Sequence, residues 1–302
     1  MSMRVTNSMA TSQLISNLNN NLGKMIKQQN QLSTGMKLNK PSDDPTGITY
    51  ALRYRSELSA NSQYQSNTNS AVSLLDQYDT QLDESTQIMQ RVKELVVEAS
   101  NGTNTDSSLA AINEELQQLK QQMVDIANTR FNGKYIFNGE ATSTKPYADG
   151  TDAKSVSADS GSIIYPIGEG ISMNVNLNAS EVFGDADAAG TTDNVFSIFD
   201  RLNTALSSGD TTAAAAELDN IENRTNKIIN ARSEVGARTN RAELMQERLD
   251  SISSNLTEMQ SETEDADIDQ LYTSYSSAQA TYNAALKVGA QIISSTLVDF
   301  IS

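Results

Sequence analysis

Both ends of this chain are long amphipathic stretches almost without charge, and any fold it adopts must find cover for them. From Met1 to Thr34 the only charged side chains are Arg4, Lys24 and Lys27, and from Ser276 to Ser302 only Lys287 and Asp299. Yet the whole chain is 20% charged, with a net charge of −16. A surface helix ordinarily backs its apolar stripe with charge. Here the backing is Asn, Gln, Ser and Thr, which marks surfaces meant to be covered by other protein. Because both ends share this character, they are expected to pair, and the pair to be buried by assembly. Asn and Ser also make isolated helices weak, so the ends are expected to be poorly ordered in the monomer and to fold as they assemble.

The periodicity places a first helix from about Ser8 to Ser33 on Leu14, Leu18, Leu22, Met25 and Leu32, widened by Ile15 and Ile26. Gly35 ends it, and a turn bracketed by Pro41 and Pro45 follows, in which Ser42, Asp43 and Asp44 are good caps for what comes next. Long helices are then expected from about Thr46 to Ser100 and from about Ser107 to Arg130. At Phe131 the composition turns to Gly, Asn, Asp, Ser and Thr. Short β-type runs appear at Tyr135–Phe137, Ile163–Tyr165 and Met173–Leu177. Helical patterning resumes at Val195, and a heptad seam runs through Ile221, Ile228, Val235, Ala242, Leu249 and Leu256, interrupted by Arg224 and Arg238. After an acidic break at Glu262–Asp269, the last helix carries Leu271, Tyr275, Ala278, Tyr282, Ala285, Gly289 and Ile292 on one seam. Leu286, Ile293, Leu297 and Phe300 lie alongside. The alternation of small and large residues allows close approach of a neighbouring helix.

The expected architecture is mainly α and nested: an elongated rod whose long helical bundle is made of both chain ends, with a small β-rich inserted domain at the far pole. The segments are terminal assembly arms (1–45 and 268–302), a helical bundle core (46–130 and 194–267) and the β-rich insert (131–193). The expected assembly interface comprises Leu14, Leu18, Leu22, Met25 and Leu32 with Leu271, Tyr275, Tyr282, Leu286, Ile293, Leu297 and Phe300.

Several functions are excluded by composition. With no Cys and no His there are no disulfides, thiol nucleophiles or imidazole bases, and the commonest zinc and haem ligand sets are missing. Ser and Thr are plentiful, but no Lys base is singled out beside one, so no enzyme is expected. The acidic pairs Asp43-Asp44 and Asp76/Asp79 and the run Asp265/Asp267/Asp269 lack the Gly-containing spacing of a calcium loop and read as caps and solvated faces. No metal and no cofactor are expected. The acidity argues against nucleic acid. No uninterrupted apolar run exceeds four residues, so neither a membrane span nor a cleavable signal is expected.

The run Gln31-Leu32-Ser33-Thr34-Gly35-Met36-Lys37-Leu38-Asn39-Lys40-Pro41-Ser42-Asp43-Asp44-Pro45-Thr46-Gly47 resembles the N-terminal signature of the bacterial flagellin superfamily. Its Pro-Ser-Asp-Asp-Pro version is similar to that of the hook-associated branch. Arg130-Phe131-Asn132-Gly133-Lys134-Tyr135-Ile136-Phe137-Asn138-Gly139, Val235-Gly236-Ala237-Arg238-Thr239-Asn240-Arg241 and the closing run from Asp265 to Phe300 match as well, in the right order. Thr142 to Asp193 lies outside the resemblance. What the resemblance implies is a structural protein, exported unfolded through the flagellar type III apparatus without signal cleavage. It would assemble with itself in a ring or short helical layer, between another hook-associated junction protein and flagellin, with an export chaperone as a further partner. True flagellin is the near alternative, although flagellins typically carry an Ala-rich turn where Pro41 and Pro45 stand here. A type III-secreted helical effector or translocator is the alternative of another class. It would be expected to carry a catalytic set or an apolar hairpin, and neither is visible.

Overall fold

A computed structural model describes the backbone of residues 7–101, 104–148 and 150–301; the side chains of 7, 8, 10 and 292–301 lie outside the described set. The chain is mainly helical and divides into two compact units, one of residues 1–60 and 252–302, the other of 61–251. Two long helices run through both: α2 (Pro45–Ala99) and a helix that returns as Leu218–Glu264, α7 below.

The first unit holds α1 (Asn7–Thr34), the start of α2, the end of α7 and the last helix, α8 (Ile268–Ile301). The terminal helices pack against each other, as their matching stripes predict. Gly35 stops α1 at φ +72°, a left-handed conformation that costs glycine nothing. Pro45 occupies the first position of α2, where its missing N–H would have had no helical partner anyway. Asp44 caps that helix, its Oδ1 accepting from the Thr46 N–H at 3.0 Å.

In the second unit α3 (Asp106–Ala127), α5 (Val195–Ser207) and the short α6 (Thr211–Ala216) join α2 and α7. The heptad seam is buried at Ile221, Ile228, Val235, Ala242 and Leu249. Between α3 and α5 lie two hairpins. β1 (Arg130–Phe131) pairs antiparallel with β2 (Lys134–Tyr135), and β3 (Ile164–Gly168) with β4 (Ile171–Asn174); a one-turn helix, α4 (Ala179–Phe183), follows. Asn132 and Gly133, at φ 50° and 79°, make the tight turn of the first hairpin.

The strands differ in detail from the sequence expectation. Ile136 and Phe137 leave the sheet and enter the core, and β4 ends before Val175. Two-stranded ribbons this short cannot bury a face of their own. They borrow the helices' core instead: Phe137 meets Tyr78 of α2 edge-on at 5.3 Å between centroids, and Phe183 at 5.2 Å. Three of the chain's six phenylalanines gather in this cluster, which closes through Tyr147 onto Phe196 of α5.

The arginines that interrupt the heptad have their reason here. Arg224, buried, pairs with Asp193 Oδ1 at 2.8 Å and donates from Nε to the Asp193 carbonyl, also at 2.8 Å. Arg238 donates to the Asn176 carbonyl at 2.8 Å. Each fastens the segment after β4 to α7, so a charge on the seam acts as a clamp there. Between them Arg232 forks onto Asp79 and Asp83 of α2.

Candidate assembly surface

The helices α1 and α8 run antiparallel. Their register goes from Met36, which forms a β-bridge with Asp265, to Leu14, which lies over Gly289. Every predicted α1 residue of the stripe, Leu14, Leu18, Leu22, Met25 and Leu32, is half-buried on this seam, and so are Leu271, Tyr275, Ala278, Tyr282 and Ala285 of α8. A Cβ on Gly289 would sit 2.9 Å from Leu14 Cδ2, so the glycine is what lets the two backbones approach. Leu286 lies off the seam and stays 44% exposed. Ile293, Leu297 and Phe300 lie outside the described side chains.

The pair therefore leaves a second apolar set uncovered: Ile15 and Ile26 on α1, with Ile268, Tyr272, Leu286 and Val288 on α8. The described charged residues on these helices are few (Lys24, Lys27, Asp269 and Lys287), so the surface is hydrated by little more than amides and hydroxyls. An apolar stripe that helix pairing fills on one side and leaves open on the other is the kind of exposed patch that marks protein contact sites.

At the base of the pair, the proline-bracketed turn is tied to the α7–α8 connection. The Lys37 N–H donates to the Glu264 carbonyl at 2.7 Å and the Ala266 N–H to the Gly35 carbonyl at 2.9 Å. Lys37 Nζ reaches the Glu262 carbonyl at 2.6 Å, satisfying an open carbonyl at the end of α7. Asp43 accepts from the Asn39 and Lys40 N–H groups and pairs with Lys27 at 2.9 Å. The Lys27 hydrogen bond leads in holding its carboxyl below the ordinary value. Pro41, Ser42 and Pro45 are exposed, so they shape the turn without being packed. Gly47 has no room for a side chain, since a Cβ would fall 2.6 Å from Asp44 Oδ2 and 2.8 Å from Leu38 Cδ1.

Sequence reasoning missed one element here. Glu264, inside the acidic break, is almost fully buried and pairs with Arg55 of α2 at 2.5 Å. Nothing in the local sequence separates it from its solvated neighbours; only Arg55 arriving across the fold does. Of the remaining acids in the run, Asp267 is a cap: its Oδ1 accepts from the Gln270 N–H at 3.0 Å at the start of α8. Among the described residues no group of acids is placed to hold a metal ion, and no helix is long and apolar enough to cross a membrane.

Known proteins resemble this chain in sequence and in fold. The model of the bacterial flagellin N-terminal helical region matches residues 5–142, and that of the C-terminal helical region matches 218–301. Flagellar hook-associated protein 3 of Escherichia coli (strain K12) is 29% identical over 94% of this chain and 95% of its own length. The flagellin of Bacillus subtilis (strain 168) is 26% identical over 88% of each. Among solved structures, FlgL of Bacillus cereus superposes with a TM-score of 0.59 at 22% identity, covering 69% of this chain and 99% of its own. FlgL of Xanthomonas campestris does so at 0.59 and 19% identity, covering 69% and 99%. With both helical ends matched by the family's models and the same fold in its solved members, the chain belongs to the bacterial flagellin family and is a structural component of the flagellum, not an enzyme.

Proposed function

We propose that this chain is a hook-associated junction subunit that links the hook to the filament and assembles through α1 and α8. The observation that carries the reading is the terminal helix pair, with one apolar face seamed and another left open on a nearly uncharged surface. The near end-to-end likeness to hook-associated protein 3, against a shorter and weaker one to flagellin, favours the junction over the filament proper. In this reading the subunit forms a ring or short helical layer. It contacts another hook-associated protein on one side and flagellin on the other, and reaches its place outside the cell through the flagellar type III apparatus without signal cleavage, escorted by a chaperone. The arms 1–45 and 268–302 become fully ordered only when neighbours cover Ile15, Ile26, Leu286 and Val288.

A filament subunit must add indefinitely to its own kind, whereas a junction subunit binds one protein below and another above and need not complement itself. Cells lacking this protein are therefore expected to keep their hooks, shed flagellin as monomer and bear no filaments. High salt, although it screens the charge of −16, should not drive the pure protein into long filaments. Long homopolymers of the pure protein would establish the flagellin reading instead. Normal filaments on the deletion strain would remove the junction role.

A further inference from the structure

A concavity in the second unit is lined by residues of α2 and of the two hairpins, none of them in the terminal helices. It is an open groove of about 750 Å³. One wall is a single face of α2: Ser62, Ser66, Asn69, Ser70 and Ser73 recur at helical spacing and span about 16 Å. The other wall is built by Phe131, Lys134 and Tyr135 of the first hairpin and by Ile163 and Tyr165 at β3.

The electrostatics of this groove set it apart from the rest of the molecule. Its lining has no carboxylate and one cation, Lys134, in a chain whose net charge is −16. A cationic ligand finds no partner there, and a phosphate or nucleic acid finds only one. What the groove does offer is hydroxyls and amides, which both donate and accept, facing aromatic rings. The side chains of Ser62, Ser66 and Asn69 are exposed and have no hydrogen-bond partner among the described residues. Ser70 and Ser73 spend their protons on the Ser66 and Asn69 carbonyls of their own helix, which leaves their oxygens as acceptors. Across from them the rings of Phe131 and Tyr165 are half-buried, each with part of its surface open. A peptide adding to β3 as a further strand would meet Pro166, which has no N–H to give, and a Pro166 carbonyl already taken by Asn67 Nδ2 at 2.8 Å.

From this geometry we infer that the groove between α2 and the β1–β2 hairpin binds a neutral oligosaccharide. The sugar's hydroxyls exchange hydrogen bonds with the Ser/Asn face of α2, and its apolar C–H face lies against Phe131 and Tyr165. Ligands whose polar groups all both donate and accept suit a wall of the same kind, and rings supply the contact area that hydroxyls lack. The inference stands independently of the chain's place in the flagellum.

The test is saturation-transfer NMR on the full chain against a panel of neutral oligosaccharides based on glucose, galactose and N-acetylglucosamine, with an acidic sugar as a comparison. At least one neutral chain is expected to bind, with an affinity lowered at least about tenfold by Tyr165→Ala and by Ser66→Arg. Ser66→Arg fills the groove from an exposed helix position and should leave thermal unfolding unchanged, so it separates a lost site from a lost fold. Failure of the whole panel would overturn the inference. So would binding that survives both substitutions, or binding of the acidic sugar alone that Lys134→Gln abolishes. Protection of the groove only on self-assembly, with no sugar bound, would assign it to a second copy of the chain.

Discussion

Leu286 offers a test that separates stability from assembly. It lies beside the α1–α8 seam with 44% of its surface still exposed. Full burial of a leucine stabilises by about 1.5–3 kcal/mol, so covering the remaining fraction on assembly contributes about 1 kcal/mol per subunit. Leu286→Ala forfeits that contribution. Leu286→Asp adds the desolvation of an unpaired carboxylate, which costs several kcal/mol more, and every subunit of a layer repeats the loss. In the monomer the same substitution sits at an exposed position and should change unfolding by no more than about 0.5 kcal/mol. The assay pairs urea denaturation of the purified chain with complementation of a deletion strain. Leu286→Ala should weaken swimming, and Leu286→Asp should abolish filaments while the protein remains exported and soluble. A large drop in monomer stability would show that Leu286 is ordinary core. Normal filaments with Leu286→Asp would show that the open face is not covered, and the assembly surface would have to be sought elsewhere.

Gly289→Leu should keep α1 and α8 apart, because even its Cβ would press on Leu14; cells carrying it should lose filaments while the cooperative melt of the second unit is unchanged, and normal filaments would refute the close approach. Val235→Asp puts a charge on the buried seam of α7 and should unfold the second unit, seen as loss of its cooperative melt; a folded Val235→Asp protein would refute the role of that seam. Acid should weaken the α7 clamp. Burial pushes the Asp193 carboxyl up, but Lys227 and Arg224 outweigh it and hold it below the ordinary carboxylate value. A depressed folded-state value means stability that is present above the unfolded pKa, about 3.9, and is lost as pH falls below it. Urea unfolding at pH 7 and about pH 2.5, below the unfolded value, should therefore show a smaller acid-induced loss for Asp193→Asn than for the unaltered protein, and equal losses would remove Asp193 as a contributor.

The helices and the pairing of the two ends were legible in the sequence because they rest on local periodicity. Leu14 to Leu32 and Leu271 to Ala285 repeat at helical intervals, and helical spacing alone puts them on one face. The helix stop at Gly35 and the cap at Asp44 were legible for the same reason, since each acts within a turn of its own position, whereas Pro45, read as a breaker, opens α2. Tertiary structure decided what depends on residues distant in the chain. It turned Arg224 and Arg238 from interruptions of a heptad into clamps, because Asp193 and the Asn176 carbonyl arrive from another segment. It buried Glu264 of an acidic run by bringing Arg55 against it, where its neighbours Asp265 and Asp267 stay in solvent. It also drew Ile136 and Phe137 out of an expected strand, since a hairpin that short has no core of its own and Tyr78 of α2 supplies one. Local pattern determines which face of an element is apolar; which partner covers that face is settled only when segments far apart in the chain compete for it.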